Sequence, residues 1–300
     1  MKFIQFIILL LKRGSLFLKP INFEQQRKQI LDPADLSSPT QPPKKDNALK
    51  SFLFNSPIGY SLLANLAYLK NSPRMNNMYF ISDDHKVIYI RILKSASTSM
   101  LKEFLPLIDG KLKDVHFSDE QLDVLGFYYA KKKFQPAQGA YAKFALVRNP
   151  FQRIVSVYID LFDPAADTFT YAPYWFGILK QDMTFKDFIT TINKIPRSLL
   201  GPHFTPQCYI LKKAAHLQDI SIYRIEKDAE ALRKFLSQYG IVLNHLNKHC
   251  SRYDYRSYYD QETLTLVRQL YDDDIRIFGY QEDYNALQQY ITTHHENRTL

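Results

Sequence analysis

The chain has few of the residues that mark metal sites, disulfide scaffolds and repeats. Its 300 residues include two cysteines, Cys208 and Cys250, without the spacing of metal ligands. Nine glycines and 15 prolines are too few for a low-complexity protein, and no block of sequence recurs. A chain of this length can build a core without disulfides, so a reducing, cytoplasmic compartment is the simpler expectation.

Long apolar runs are also missing. The run from Phe3 to Leu11 is broken by Gln5 and is too short to cross a bilayer, which takes about 20 residues. Lys12 and Arg13 stand where a signal peptide has small residues. We therefore expect an amphipathic helix that packs on the domain or makes peripheral membrane contact through residues 1–20. The Pro-, Ser- and Asp-rich stretch 32–47 reads as a linker, which predicts a terminal segment over 1–47 and one domain over 48–300.

The charge balance favours anionic partners. The net charge is +9 and the pI is near 9.2, so the surface attracts nucleic acid, anionic lipid or acidic small molecules. Because no long Lys/Arg run and no nucleic-acid motif occurs, we do not expect nucleic acid as a partner.

Strand and helix patterns alternate along the chain. This alternation predicts an α/β fold with a mostly parallel sheet flanked by helices. Strands are predicted at 78–82, 87–93, 142–147 and 220–225. Helices are predicted at 97–105, 118–134, 150–162, 184–192, 227–238 and 260–271. Pro106 is expected to end the first of them, and the helix at 260–271 is expected to be the last.

A lysine and a cluster of hydroxyl residues follow the second strand. Lys94 precedes the segment Ser95, Ala96, Ser97, Thr98 and Ser99, where the strand gives way to a helix. Such a turn presents free backbone amides and a positive helix end, which suit a phosphate. No glycine lies between residues 60 and 109, so this is not the G-x-x-x-x-G-K-[ST] loop of nucleoside-triphosphate enzymes. A serine-rich helix cap with a solvated lysine is the structural alternative.

A second strand, basic turn and helix favours the anion site. In "FALVRNPFQRIVSVYIDLF" (144–162), Arg148 follows a strand, and Ser156 lies off the apolar face of the next helix. Arg148 and Ser156 can therefore reach one phosphate from two sides. Arg153 is a third candidate, with a surface cation as its alternative. Two anion sites on adjacent strand ends predict a ligand with phosphates at two positions.

These two segments resemble known motifs. "IYIRILKSASTSM" and "FALVRNPFQRIVSVY" are similar to the 5′-phosphosulfate and 3′-phosphate motifs of sulfotransferases, especially the carbohydrate branch (chondroitin 4-O- and uronyl 2-O-sulfotransferases and bacterial relatives). "HFTPQCYIL", "IYRIEKDAEAL" and "YDDDIRIFGY" resemble later parts of that branch. Leu93 replaces the usual proline, and the His-x-His pair of uronyl enzymes is absent.

The resemblance implies a P-loop-like fold and sulfuryl transfer from 3′-phosphoadenosine 5′-phosphosulfate, without a metal, to a carbohydrate hydroxyl. Lys94 and residues 95–99 would bind the 5′ side, and Arg148, Ser156 and Arg153 the 3′-phosphate. Lys94 would also be catalytic, and His203, ahead of His116, is the expected base. For a eukaryotic source it implies the Golgi lumen. A kinase or NTPase on a related fold, and a non-catalytic binder of acidic glycans, are the alternatives.

Overall fold

The computed structural model describes residues 79–131, 135–162, 179, 183–197, 200–214, 219–242 and 254–296. The predicted N-terminal segment, the linker and the boundary at residue 48 lie outside these residues. Within them, every helix is too short or too polar to cross a membrane.

The four strands of the described sheet lie side by side in chain order. They are β1 (Tyr79–Ser82), β2 (Val87–Ile90), β3 (Ala142–Val147) and β4 (Ile220–Arg224). β1 and β2 form an antiparallel hairpin around the turn 83–86. β2–β3 and β3–β4 pair in parallel. The predicted α/β fold with a mostly parallel sheet is confirmed.

Helices cover both faces of the sheet because the strand residues alternate between two cores. Ile88 and Ile90 of β2 belong to one core, and Val87 and Tyr89 to the other. The first core is formed with helices α3 (Pro150–Phe162), α4 (Phe185–Lys194), α5 (Gln207–Lys213), α7 (Gln261–Ile277) and α8 (Gln281–Glu296). The second is formed with helices α1 (Ser97–Ile108), α2 (Asp119–Tyr129) and α6 (Ala229–Ser237).

Several predicted boundaries are wrong for identifiable reasons. β2 ends at Ile90 rather than residue 93, because the chain turns out of the ladder before Lys94. α1 continues through Pro106 to Ile108, since a proline near a helix end removes only its own donor, and the Asp109 N–H still bonds the Leu105 carbonyl. α2 starts as predicted on a Ser118–Gln121 capping box.

Two further differences concern the ends of helices. α2 ends at Tyr129 rather than 134, because Lys131 pairs with Tyr79 through two backbone hydrogen bonds. α7 runs on to Ile277, and α8, which was not predicted, follows it. α8 buries only a narrow stripe at Tyr284, Leu287 and Ile291, so its apolar period is faint in a polar sequence.

Candidate active site

The two basic turns meet at one edge of the sheet. β2 and β3 are adjacent and parallel, so the turns that follow them leave the same edge. Arg148 follows β3, and its Nη1 donates a hydrogen bond to the carbonyl oxygen of Lys94 at 3.3 Å. The structure therefore brings the two predicted anion sites into direct contact.

The turn before α1 covers residues 93–96 and is called the Lys94 turn below. Its backbone has a shape that suits an anion. Lys94 and Ala96 have positive φ angles of 65° and 55°, in the left-handed region that non-glycine residues rarely occupy. α1 then starts at Ser97 without a side-chain hydrogen bond from the residue before it, Ala96. The first amides of α1, at Ser97, Thr98 and Ser99, point along the helix axis toward this turn. The turn adopts this conformation without the glycines of the G-x-x-x-x-G-K-[ST] loop.

The hydroxyl residues of the turn have different surroundings. Ser95 is fully buried, and its Oγ donates to Gln207 Oε1 at 2.9 Å. Its hydroxyl is thus bonded within the protein, and the prediction that Ser95 holds a phosphate by a side-chain or backbone donor stays a prediction. Ser97 is nearly buried, whereas Thr98 and Ser99 keep part of their surface exposed.

Lys94 faces helix α3. Its ammonium lies 3.0 Å from Asp160 Oδ2, and the two side chains are 21% and 45% exposed. Lys94 is therefore a partly exposed lysine that is paired with a carboxylate on α3. Ser156 lies one turn before Asp160 on α3, so the two share a helix face. Since that face contacts the Lys94 turn, Ser156 is directed toward the same edge of the sheet.

Arg153 holds loops together. It is almost fully buried, and its guanidinium donates to the carbonyl oxygens of Leu93 at 3.0 Å, Thr205 at 3.1 Å and Pro202 at 3.1 Å. The alternative of a surface cation is therefore wrong, whereas the role of a phosphate ligand stays a prediction. In the structure Arg153 fixes the segment 202–205 against the Lys94 turn.

The two candidate bases lie in different surroundings. His203 sits inside the segment that Arg153 clamps, although it retains some accessible surface. Burial among protein atoms, and after it the positive charges of Lys94, Arg153 and Arg91, lower the pKa of His203 to about 3. His116 is exposed in the segment that precedes α2. The structure thus places His203, and not His116, close enough to Lys94 for the lysine's charge to lower its pKa.

A glutamine that was not predicted to be in the site joins the Lys94 turn to the turn between β3 and α3, Arg148 and Asn149, which is called the Arg148 turn below. Gln207, at the start of α5, bonds both Ser95 and the backbone of Arg148. Asp274 on α7 accepts from the amides of Gln207 and Cys208, each at 2.8 Å. Burial raises the pKa of the Asp274 carboxyl, and these hydrogen bonds oppose that shift. Gln207 lies in the segment "HFTPQCYIL", whose resemblance to the carbohydrate branch is its only sequence signal.

The Arg148 turn is also fixed from its other side. The Asn149 amide donates to Glu226 Oε1 at 2.8 Å, and Asn149 Oδ1 accepts from the Phe151 amide at 2.9 Å at the start of α3. Burial raises the pKa of Glu226, whereas its hydrogen bonds, first from the Asn149 amide and then from the Tyr280 hydroxyl, lower it. The segment after β4 and the residue before α8 therefore help to hold the backbone next to Arg148 in place.

The fold is an α/β sheet whose parallel strand ends carry two adjacent turns with a lysine and an arginine. A family model described as "Sulfotransferase family" matches residues 77–281, about two thirds of the chain. The chain therefore belongs to the sulfotransferase family. Neither the curated proteins nor the solved structures give a significant match. The family makes this protein an enzyme of sulfuryl transfer.

Proposed function

We propose that this enzyme transfers a sulfuryl group from 3′-phosphoadenosine 5′-phosphosulfate to a hydroxyl of a carbohydrate. The main support for the proposal is the contact between the two turns, in which Arg148 Nη1 donates a hydrogen bond to the Lys94 carbonyl oxygen. A donor with phosphates at its 5′ and 3′ positions matches two adjacent cationic turns. The 5′-phosphosulfate is assigned to the Lys94 turn, and the 3′-phosphate to Arg148 and Ser156.

Lys94 acts on the leaving group. The acceptor oxygen attacks the sulfur in line, and the bond from sulfur to the bridging oxygen breaks, so negative charge grows on the 5′-phosphate that departs. The Lys94 ammonium and the first amides of α1 stabilise that charge. As in phosphoryl transfer, the protein contributes position and electrostatics and forms no covalent bond. The ammonium must first leave Asp160, which holds it at 3.0 Å in the donor-free protein.

His203 is the proposed base. It takes the proton that the acceptor hydroxyl loses as the new S–O bond forms. The depressed pKa keeps the imidazole neutral and able to accept a proton at neutral pH, although it also makes His203 a weak base. The phosphates of a bound donor offset the charges of Lys94 and Arg153, which raises the proton affinity of the imidazole when the donor is present.

Support for a carbohydrate acceptor comes from the motif resemblance and from charge. The net charge of +9 favours an anionic acceptor such as an acidic polysaccharide. Sulfuryl transfer by this scheme needs no metal ion, so a chelator should leave it unchanged.

Incubation with ³⁵S-labelled donor and a panel of acidic and neutral polysaccharides tests the proposal. Label is expected on at least one polysaccharide, with EDTA present and without ATP. His203→Ala should reduce transfer by about 10²–10⁴, whereas His116→Ala should transfer normally. Absence of label from every carbohydrate would reject this acceptor class. ATP turnover that depends on magnesium would favour the kinase alternative.

A further inference from the structure

The side chain of Gln207 bonds both turns of the site at once. It is fully buried, and its Oε1 accepts from Ser95 Oγ at 2.9 Å and from the Arg148 amide at 2.9 Å. Its Nε2 donates to the Arg148 carbonyl oxygen at 2.7 Å. One amide group therefore joins the Lys94 turn to the Arg148 turn through three hydrogen bonds.

The orientation of this amide is set by its partners. A backbone N–H can only donate and a backbone carbonyl can only accept, so the two bonds to Arg148 place Oε1 and Nε2 without ambiguity. The backbone of Gln207 is fixed as well, because its amide donates to the buried Asp274 Oδ2 at 2.8 Å. The link is consequently anchored in α7, outside both turns.

We propose that Gln207 is a positioning residue that sets the spacing between the two phosphate sites, so that the two phosphates of the donor are bound together. This inference rests on the proposed function. Each turn has its own phosphate-binding groups, Lys94 with the α1 amides in one and Arg148 in the other. Gln207 contributes to neither set, yet it contacts both turns. An error of about 1 Å in such a spacing can cost 10²-fold in binding or rate.

Only an amide of this length satisfies all three partners. Glutamate would place a second oxygen against the Arg148 carbonyl, which lies 2.7 Å from Nε2. Asparagine is one methylene shorter and cannot span the same gap. Methionine keeps the length and the apolar packing of the side chain but forms no comparable hydrogen bonds. Gln207→Met is therefore the variant that removes the link with the least change in volume.

Calorimetry with three nucleotides tests the link. The ligands are 3′-phosphoadenosine 5′-phosphate, adenosine 5′-phosphate and adenosine 3′-phosphate. In Gln207→Met, affinity for the bisphosphate is expected to fall about 10- to 100-fold, while the two monophosphates change by less than about threefold, since each uses one turn only. Gln238→Met, an exposed glutamine at the end of α6, serves as the control and should bind all three like the wild type.

The same titrations separate the possible failures. If Gln207→Met lost affinity equally for all three nucleotides, the substitution would have damaged the site in general, and the inference would be overturned. An unchanged affinity of Gln207→Met for the bisphosphate would also overturn it. Wild-type protein that binds the bisphosphate no better than the monophosphates would overturn the proposed donor together with the inference. If Gln207→Met does not fold, Ser95→Ala tests the same link, because it removes one of the three hydrogen bonds. Ser95→Ala should weaken the binding of the bisphosphate only. Equal weakening of the binding of all three nucleotides would reject the link.

Discussion

Lys94 is the residue on which the proposed chemistry depends most. Lys94→Ala removes the cation beside the leaving phosphate, so turnover should fall about 10²- to 10³-fold while the fold is retained. Steady-state rates with labelled donor measure the loss, and circular dichroism checks the fold. Lys102→Ala, an exposed lysine on α1, is the matched control and should behave like the wild type. Near-normal turnover in Lys94→Ala would remove this lysine from the mechanism.

Asp160 competes with the donor for Lys94. Its carboxylate holds the ammonium at 3.0 Å and repels an incoming phosphate. Because the pair is partly exposed, its energy is small, and Asp160→Asn should tighten bisphosphate binding by no more than about fivefold. Asp272→Asn, on the exposed side of α7, should leave binding unchanged. Weaker binding in Asp160→Asn would show that Asp160 helps to build the site.

His203 should make stability depend on pH. Its pKa in the folded protein is lowered to about 3, below the unfolded value of about 6.5. Between these values the unfolded chain binds the extra proton, so the free energy of unfolding falls as pH decreases from about 6.5. Denaturant titrations of His203→Gln from pH 7 to 4 should show a shallower fall than the wild type. The exposed His116→Gln should follow the wild type, and identical slopes for all three would contradict a buried neutral His203.

The charged residues of the site were easier to predict from the sequence than the residues that hold them in place. Lys94 and Arg148 stand directly after strands, so their meeting at one sheet edge follows from the parallel order. The roles of Gln207 and Arg153 could not be predicted, because their partners lie 49 to 112 residues away and include backbone carbonyls, which carry no sequence signal. The burial of Ser95 could not be predicted either, since a buried hydroxyl residue and an exposed one look alike in sequence.

At the scale of elements, the packing of α1 against α2 depends on one glycine. An added Cβ on Gly126 would lie 2.7 Å from Arg91 Nη1 and 2.8 Å from Leu101 Cδ1. Overpacking costs about 1–3 kcal/mol, but alanine favours a helix by about 1 kcal/mol over glycine, so Gly126→Ala should destabilise the protein by no more than about 2 kcal/mol. Chemical denaturation measures the loss. Gly139→Ala is the control, because nothing lies within 4 Å of its added Cβ. Equal stability of the two variants would contradict the tight contact.

The elements themselves were predictable where the pattern was strong. β3 was predicted at its observed bounds, and α3 begins at Pro150 because proline fits the first helical position. Gly240 adopts a φ of +69° where α6 ends, as expected of a glycine after a helix. The extension of α7 beyond residue 271 was not predicted, and Tyr271, where the prediction ends, has non-helical dihedral angles in the structure.

At the scale of the whole molecule, the site is assembled from segments that are distant in the chain. The Lys94 turn, the Arg148 turn, the His203 loop and α7 meet through buried hydrogen bonds of Arg153, Gln207 and Asp274. A donor that spans two of these segments should therefore stabilise the protein as a unit, by an amount that grows with its concentration above Kd.

A crystal structure of the complex with 3′-phosphoadenosine 5′-phosphate tests the central claim most directly. The account predicts that the 5′-phosphate accepts hydrogen bonds from Lys94 Nζ and from the first amides of α1, with the Lys94–Asp160 contact opened. It predicts the 3′-phosphate against Arg148 and Ser156. A nucleotide bound away from the β2 and β3 ends, or with its two phosphates exchanged between the turns, would contradict the account.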